Sequence, residues 1–309
     1  MTNPDNFNSF IGNNRVVSAL KMALGAAAKR NTALTHTLIS GPSGTGKTTL
    51  AKIVANHTGG QLHRIHAPAV AKTADLSVHL LGMSEKDVLF IDEIHALSRD
   101  SAETLFEAME ENQVTIIVPD GQSKVPNGTR SLTIPLPNIC IIGATTDPNK
   151  LPEAFFNRFR RHLRMSEYSV EELTQILSLA CSDPIPTEGL VEIAKRSRGR
   201  ARDALKILGV MSDHVLVRGE WSEDILTDVF LELGIGIYGD TTEDRLYMTC
   251  LIERLKGGPA GLTSLIGTTG LDRSVIEEAV EPFLIQHGFI EKTPRGRVAL
   301  KPIGGDHDF

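Results

Sequence analysis

The sequence predicts an α/β fold: a central parallel sheet covered by helices on both faces, then a small helical domain, then a C-terminal domain of helices and a short hairpin. Three observations predict it. Short apolar runs at 36–40, 87–91 and 138–144 alternate with helical stretches over the first 165 residues, the pattern of a parallel sheet buried on both sides. Strand signal then fades, and 169–181, 187–197 and 200–216 place apolar residues at helical spacing. The last stretch, 243–309, holds two or three helical segments and then two short extended pieces around a Pro-Arg-Gly turn.

Taken in order, residues 13–30 follow Gly12 and read as an amphipathic helix. HTLIS at 36–40 is a short buried strand; it runs into a glycine-rich turn at 41–46, and a helix follows over 47–56. DVLFI at 87–91 is a second buried strand and 101–112 a helix. QVTIIV at 113–118 and RSLTI at 130–134 are the arms of a hairpin, joined by a loop that contains Gly121, Pro126 and Gly128. NICIIGA at 138–144 is another buried strand. Residues 238–242 (YGDTT) mark a hinge, and the terminal Pro-Arg-Gly turn suits the wing of a winged helix. The expected domains are 1–165, 166–236 and 240–309.

Composition narrows the setting. Of 309 residues, 41% are apolar and 23% charged, enough to bury sizeable cores. The net charge of -6 argues against a protein coated in positive charge, so any nucleic-acid contact has to come from local basic patches. Three scattered cysteines, Cys140, Cys181 and Cys250, form no C-x-x-C pair. Zinc and redox chemistry are therefore not expected, and a reducing cytoplasm is. The N-terminal residues lack a basic region followed by an apolar stretch, and no apolar run approaches the ~18 residues of a membrane helix.

The most specific chemistry lies at 41–48. Gly41-Pro42-Ser43-Gly44-Thr45-Gly46-Lys47-Thr48 fits G-x-x-x-x-G-K-[ST] between a strand and a helix. Glycines let backbone N–H groups turn inward around phosphate oxygens, and the following helix aims its positive end at the same anion. Lys47 would reach the β- and γ-phosphates, and Thr48 would bind Mg²⁺. Asp92 and Glu93 end the apolar strand LFI, at the edge where open parallel sheets bind ligands. Asp92 is placed to help hold Mg²⁺, and Glu93 to orient or deprotonate the attacking water. Gly143-Ala144-Thr145-Thr146 ends the next strand; a hydroxyl there either touches the γ-phosphate or the water, or simply closes a strand.

Two basic runs follow. NRFRRHLR at 157–164 contains Arg158, a candidate for an arginine supplied to a neighbouring subunit's nucleotide, or a solvated basic turn. KRSRGRAR at 195–202 sits at a helix junction; one of its arginines reaches the γ-phosphate, or the run is a surface patch. Arg295 and Arg297 flank Gly296 and suit a phosphate backbone, or a generic charged hairpin.

The order of these motifs resembles the AAA+ class, and the text between them resembles the RuvB family. It is carried by Phe10-Ile11-Gly12, 87–95 (DVLFIDEIH), Ala108-Met109-Glu110, 142–146 (IGATT), 168–174 (YSVEELT) and 195–199 (KRSRG). Near the C-terminus stand Gly257-Gly258-Pro259, 281–289 (EPFLIQHGF) and 293–298 (TPRGRV). The similarity spans roughly 7–300. It implies an AAA+ ATPase domain with a central parallel sheet, a small helical domain and a winged-helix DNA-binding domain. It implies an ATP- and Mg²⁺-dependent motor, a homohexamer around duplex DNA that drives branch migration of four-way junctions. A RuvA-type partner would hold the junction and dock on the hairpin 113–134. Carried over residue by residue, Phe10, Ile11, Thr49 and the 41–48 loop contact nucleotide. Thr146 is the first sensor, Arg158 the trans arginine finger, Arg202 the second sensor, and Arg295 the DNA contact on the wing. An AAA+ loader that remodels a protein partner on DNA is the alternative.

The sequence departs from the family at several points. Asn3-Pro4 and Phe10 stand where relatives have Arg-Pro and Tyr. Residues 154–159 (AFFNRF) keep only the second arginine of the family's Pro-Leu-Arg-Asp-Arg-Phe. Gly199-Arg200-Ala201-Arg202 replaces Gly-Thr-Pro-Arg, and the hairpin loop is several residues longer.

Overall fold

A computed structural model describes residues 4–70, 72–119 and 129–304. The N-terminal Asn3 and the hairpin-loop residues Gly121, Pro126 and Gly128 lie outside the described residues. The chain divides into two compact units, one of residues 1–176 with 199–202, the other of 177–198 with 203–309.

The first unit carries strands β1 (Thr37–Ser40), β2 (Leu62–His66), β3 (Val88–Asp92), β4 (Gln113–Pro119), β5 (Thr129–Pro135), β6 (Cys140–Thr145) and β7 (Arg161–Arg164). Its helices are α1 (Asn14–Arg30), α2 (Lys47–Thr58), α3 (Thr73–Leu81), α4 (Arg99–Glu110) and α5 (Glu153–Arg158), and α6 (Val170–Ala180) begins in it. Five strands form one parallel sheet in the order β2-β3-β6-β1-β7, as the alternating pattern predicts. The central strands have period-two side chains buried on both faces. Ile39, Phe90 and Ile142 point into one core with Leu20 of α1 and Leu50 and Val54 of α2. Their neighbours Leu38, Leu89 and Ile141 point into the other with Leu80 of α3 and Leu105 of α4. That is why these strands read as continuous apolar runs.

The expected strands and helices 13–30, 47–56 and 101–112 are present with ends shifted by a residue or two. The sequence reading places no strand at β2 or β7. Both are edge strands of the sheet, and LHRIH and RHLR set isolated apolar residues among polar and charged ones instead of running apolar. The hairpin β4–β5 is antiparallel, with Ile116 opposite Leu132. It is tied to α4 by Glu107, which accepts from the Thr115 hydroxyl at 2.6 Å and the Thr115 N–H at 3.1 Å.

The second unit holds α7 (Thr187–Arg196), most of α8 (Ala201–Arg218), α9 (Glu223–Leu233), α10 (Thr242–Thr249), α11 (Leu262–Thr269), α12 (Arg273–Val275) and α13 (Glu281–Gln286). It also holds the hairpin β8 (Ile290–Thr293) and β9 (Gly296–Ala299), the wing. Tyr247, Leu251, Leu265, Ile276, Phe283, Leu284 and Ile290 share the winged-helix core.

The expected hinge at 238–242 is closely packed at Gly239 and Asp240. Asp240 is buried and pairs with Arg245 at 2.6 Å. Arg198 Nε donates to the Gly239 carbonyl at 2.6 Å, and its guanidinium also pairs with buried Asp244 and lies over the Phe283 ring. A side chain on Gly239 would strike the Arg196 carbonyl oxygen at 2.7 Å. Turn-forming residues gave the hinge its sequence signature; they serve close packing here. Among the described residues no helix is long and apolar enough to cross a membrane, and the three cysteines are free thiols.

Candidate nucleotide site

The site is built at the carboxyl edge of the sheet, where β1, β3 and β6 deliver their last residues side by side. From β1 the chain enters the phosphate loop through Gly41, Gly44 and Gly46, all at positive φ (147°, 77° and 97°). These glycines are required by space as well as by angle. A Cβ on Gly41 would meet the Met165 carbonyl oxygen at 2.6 Å, and one on Gly46 the Phe10 ring at 3.0 Å. The loop is pinned from both sides: the Gly41 N–H donates to the Thr145 carbonyl at 3.1 Å, and the Thr45 hydroxyl to the Pro42 carbonyl at 2.9 Å.

Lys47 is buried and folds over the loop, donating from Nζ to the carbonyls of Gly41 (2.7 Å) and Pro42 (2.9 Å). Burial pushes its ammonium below its ordinary pKa; Glu93 and Asp92 oppose that shift and Arg202 adds to it. Two carboxylates and two cations therefore converge within electrostatic reach of one loop. Thr48 and Thr49 open α2, half-buried beside it.

Glu93 follows β3 in the left-handed region, at φ 50°, a conformation that raises the energy of a non-glycine residue by about 1 kcal/mol or more. Its Oε2 accepts from the Thr146 N–H at 3.1 Å and the Thr146 hydroxyl at 2.9 Å. The expected first sensor thus holds the expected water-activating carboxylate. Asp92, the last residue of β3, is half-buried. Among the described residues no three His, Cys, Asp or Glu side chains form a metal-binding group. A Thr48 hydroxyl and an Asp92 carboxylate are hard oxygen donors, a set that suits Mg²⁺ filling its other positions with phosphate oxygens and water.

Arg202 lies in the first unit with its Nη1 donating to Ser43 Oγ at 3.2 Å, and the Ala201 N–H donates to the Gly44 carbonyl at 3.1 Å. Phe10 is buried against Gly46, and Ile11 beside it is half-buried. Tyr168 is a site residue for which sequence reasoning gave no role. Its hydroxyl donates to the Thr45 carbonyl at 2.7 Å, and its ring would touch any side chain on Gly12 at 2.9 Å. Burial raises its phenol above the ordinary value, so it stays a donor. Ser40, Gly41, Pro42, Thr146, Pro148 and Arg164 line a cleft of about 440 Å³ beside the loop.

Arg158 ends α5 away from these contacts. Its Nε lies 2.9 Å from Glu110 Oε1, close enough for an ion pair but outside hydrogen-bond alignment. Its Nη1 donates to the Ala154 carbonyl at 2.8 Å, and its guanidinium stacks 4.0 Å from the Phe106 ring. The side chain remains 27% exposed, so it is oriented by its own subunit while keeping a face to solvent.

In the second unit, Arg295 is exposed at the tip of the wing. Arg297 corrects the sequence reading. Expected to touch DNA, it donates from Nε and Nη2 to the two oxygens of Glu281 at 2.8 and 3.2 Å, and only 16% of its side chain is exposed. Glu281 is fully buried and also pairs with Lys292 at 2.7 Å. Arg297 is a structural counter-charge because it lies within strand β9, where it reaches Glu281, whereas exposed Arg295 lies in the turn before that strand.

Residues 2–165 match the family described as the Holliday junction DNA helicase RuvB P-loop domain, and 237–302 the RuvB C-terminal winged helix domain. A Holliday junction branch migration complex subunit RuvB from Chloroflexus aggregans is 39% identical over 303 residues, covering 96% of this chain and 85% of that protein. The chain belongs to the RuvB family. RuvB proteins are AAA+ ATPases, and the phosphate loop binds nucleotide accordingly. Solved RuvB structures agree. A point mutant of Thermotoga maritima RuvB matches with a TM-score of 0.85 at 33% identity, over 97% of this chain and 96% of that one. The Thermotoga maritima RuvB Holliday junction branch migration motor matches with a TM-score of 0.82 at 33% identity, over 97% and 95%.

Proposed function

We propose that the chain is the ATP-driven motor of Holliday-junction branch migration, in homologous recombination and repair. The observation that carries this is one site that brings Lys47, Glu93 and Thr146 together at the phosphate loop, in a chain that also bears a winged helix of the RuvB type. The domains are 1–165 for nucleotide binding and hydrolysis, 166–236 for a helical lid, and 240–309 for DNA.

Lys47 and the loop N–H groups hold the β- and γ-phosphates, and Arg202 reaches them from beyond Ser43. Thr48 and Asp92 hold Mg²⁺, which neutralises charge on the phosphate oxygens when bound. Glu93 accepts a proton from the attacking water, and Thr146 reports on the terminal phosphate. Arg158 supplies positive charge to the nucleotide of a neighbouring subunit in a homohexamer. Its exposed face and its fixed orientation by Glu110 and Phe106 support that role. Arg295 contacts the DNA backbone from the wing.

The hairpin β4–β5 is the docking element for a RuvA-type partner. Its exposed Ile117 and Leu132, on a hairpin tied to α4, support that reading. The setting is cytoplasmic DNA. The winged-helix match favours this motor over an AAA+ loader.

The test is migration of a synthetic four-way junction with and without a RuvA-type protein. Wild type should exchange strands only with ATP, and Lys47→Ala and Glu93→Gln should not. No ATP-dependent strand exchange under any partner condition would sink the proposal.

A further inference from the structure

Three groups converge on one oxygen of Glu93. Thr146 donates to Oε2 twice, from its N–H at 3.1 Å and its hydroxyl at 2.9 Å. His95 Nδ1 stands 3.3 Å from the same Oε2. Among the described residues Oε1 takes no hydrogen bond, so one carboxylate oxygen is held and the other is left for water. His95 is itself held. Its Nδ1 lies 2.8 Å from the hydroxyl of Thr145, which is fully buried and also accepts from the Asp147 N–H at 3.1 Å. The His95 side chain is 16% exposed, and its backbone lies in the short 3₁₀ turn Ile94–Ala96 that follows Glu93.

A hydroxyl has one proton. While Thr146 donates it to Glu93, it cannot donate it to a terminal phosphate; once it turns to the phosphate, Glu93 loses a donor on Oε2. His95 is the only other side chain on that oxygen among the described residues. A lone pair on Nδ1 facing a carboxylate at 3.3 Å is repulsive, whereas an Nδ1–H there donates toward both Glu93 and the Thr145 hydroxyl.

We propose that His95, aligned by the buried Thr145 hydroxyl, is the positioning residue that keeps Glu93 aimed at the water when Thr146 turns to the γ-phosphate. The inference rests on Glu93 being the water-activating group. Thr146 and His95 share one oxygen: when the Thr146 hydroxyl turns to the phosphate, His95 keeps its place on Oε2.

The experiment compares His95→Ala, His95→Asn, His95→Gln and Thr145→Val in the full-length protein, with Glu93→Gln as the reference. An Asn amide places its N–H near the Nδ1 position, and a Gln amide near Nε2. His95→Ala and Thr145→Val should lower kcat about 10- to 100-fold with KM and fluorescent ATP-analogue affinity within about 3-fold of wild type. His95→Asn should recover most of that kcat and His95→Gln little. Thermal midpoints and far-UV spectra identify any variant that fails to fold; recovery by Asn but not Gln is then read among folded proteins. Full kcat in folded His95→Ala, or equal recovery by Gln, overturns the proposal. If Glu93→Gln itself keeps turning over ATP, the reading of Glu93 fails, and the positioning role falls with it.

Discussion

Thr146 gives both its backbone N–H and its hydroxyl to the same oxygen of Glu93, at 3.1 and 2.9 Å. The residue expected to sense the terminal phosphate therefore grips the residue expected to activate water. The two residues follow the neighbouring strands β3 and β6, so the two proposed roles meet at one hydroxyl.

Thr146→Val keeps the side-chain shape and removes the hydroxyl. Turnover should fall about 100-fold or more, the usual effect of losing a hydrogen-bond donor aimed at developing charge. Nucleotide affinity should change little, because Lys47 and the loop N–H groups remain. Thr146→Ser should keep most activity. Steady-state ATPase rates beside fluorescent-nucleotide titrations measure both, and wild-type turnover by the Val variant would rule the hydroxyl out.

Arg158 is 27% exposed and steadied by Glu110, Ala154 and Phe106 of its own chain. Removing an arginine finger lowers kcat by about 10³- to 10⁵-fold, so Arg158→Ala should lose hydrolysis while binding ATP normally. Lys47→Ala should also be inactive. Mixing the two should restore part of the activity, because some sites then combine an intact Lys47 with a neighbour's Arg158. No recovery at any ratio, from variants shown to co-assemble, would place Arg158 outside the neighbour's site.

Glu281 sits fully buried between Arg297 and Lys292 and accepts from the Tyr247 hydroxyl at 3.1 Å. Burial pushes its carboxyl up, but the hydrogen bonds and charges of Arg297 and Lys292 outweigh that and hold it below its ordinary 4.5. A depressed folded value means this stability is fully present above about pH 4.5 and is lost as pH falls through the folded value. Glu281→Gln should lower winged-helix stability by about 3–5 kcal/mol, since it leaves buried positive charge uncompensated. It should also flatten that part of the acid unfolding profile. Denaturant melts at pH 7 and at pH 4 test both; an unchanged acid profile would show that Glu281 is not the titrating group.

Arg295 and Arg297 stand two residues apart with opposite fates. Arg295→Ala should weaken DNA binding across sequences and reduce the slope of log K against log salt by about 1, without changing the melting temperature. Arg297→Ala should lower the melting temperature, because Glu281 then stays buried without its bidentate partner. Salt titrations of duplex binding and thermal melts separate them. A stability loss on removing Arg295 would reverse the assignment.

The buried strands β1, β3 and β6 were legible in the sequence because each is apolar on both faces. The edges β2 and β7 were not, because LHRIH and RHLR expose alternate positions and carry charge there. The phosphate loop was legible because its backbone angles admit only glycine at Gly41, Gly44 and Gly46. Tyr168 reached the loop from 123 residues away, and no local pattern signals a contact at that separation.

By itself the sequence determined the buried central strands, the loop and the residue types that handle phosphate, because local periodicity and backbone sterics write these directly into the residue order. Only the tertiary structure decided partners. It turned Arg297 inward onto Glu281, packed Gly239 against Arg198, and set Thr146 and His95 on the same oxygen of Glu93. Charge and hydrogen-bonding capacity are properties of a residue. Which partner takes them is fixed by distance, and distance between remote residues exists only once the chain has folded.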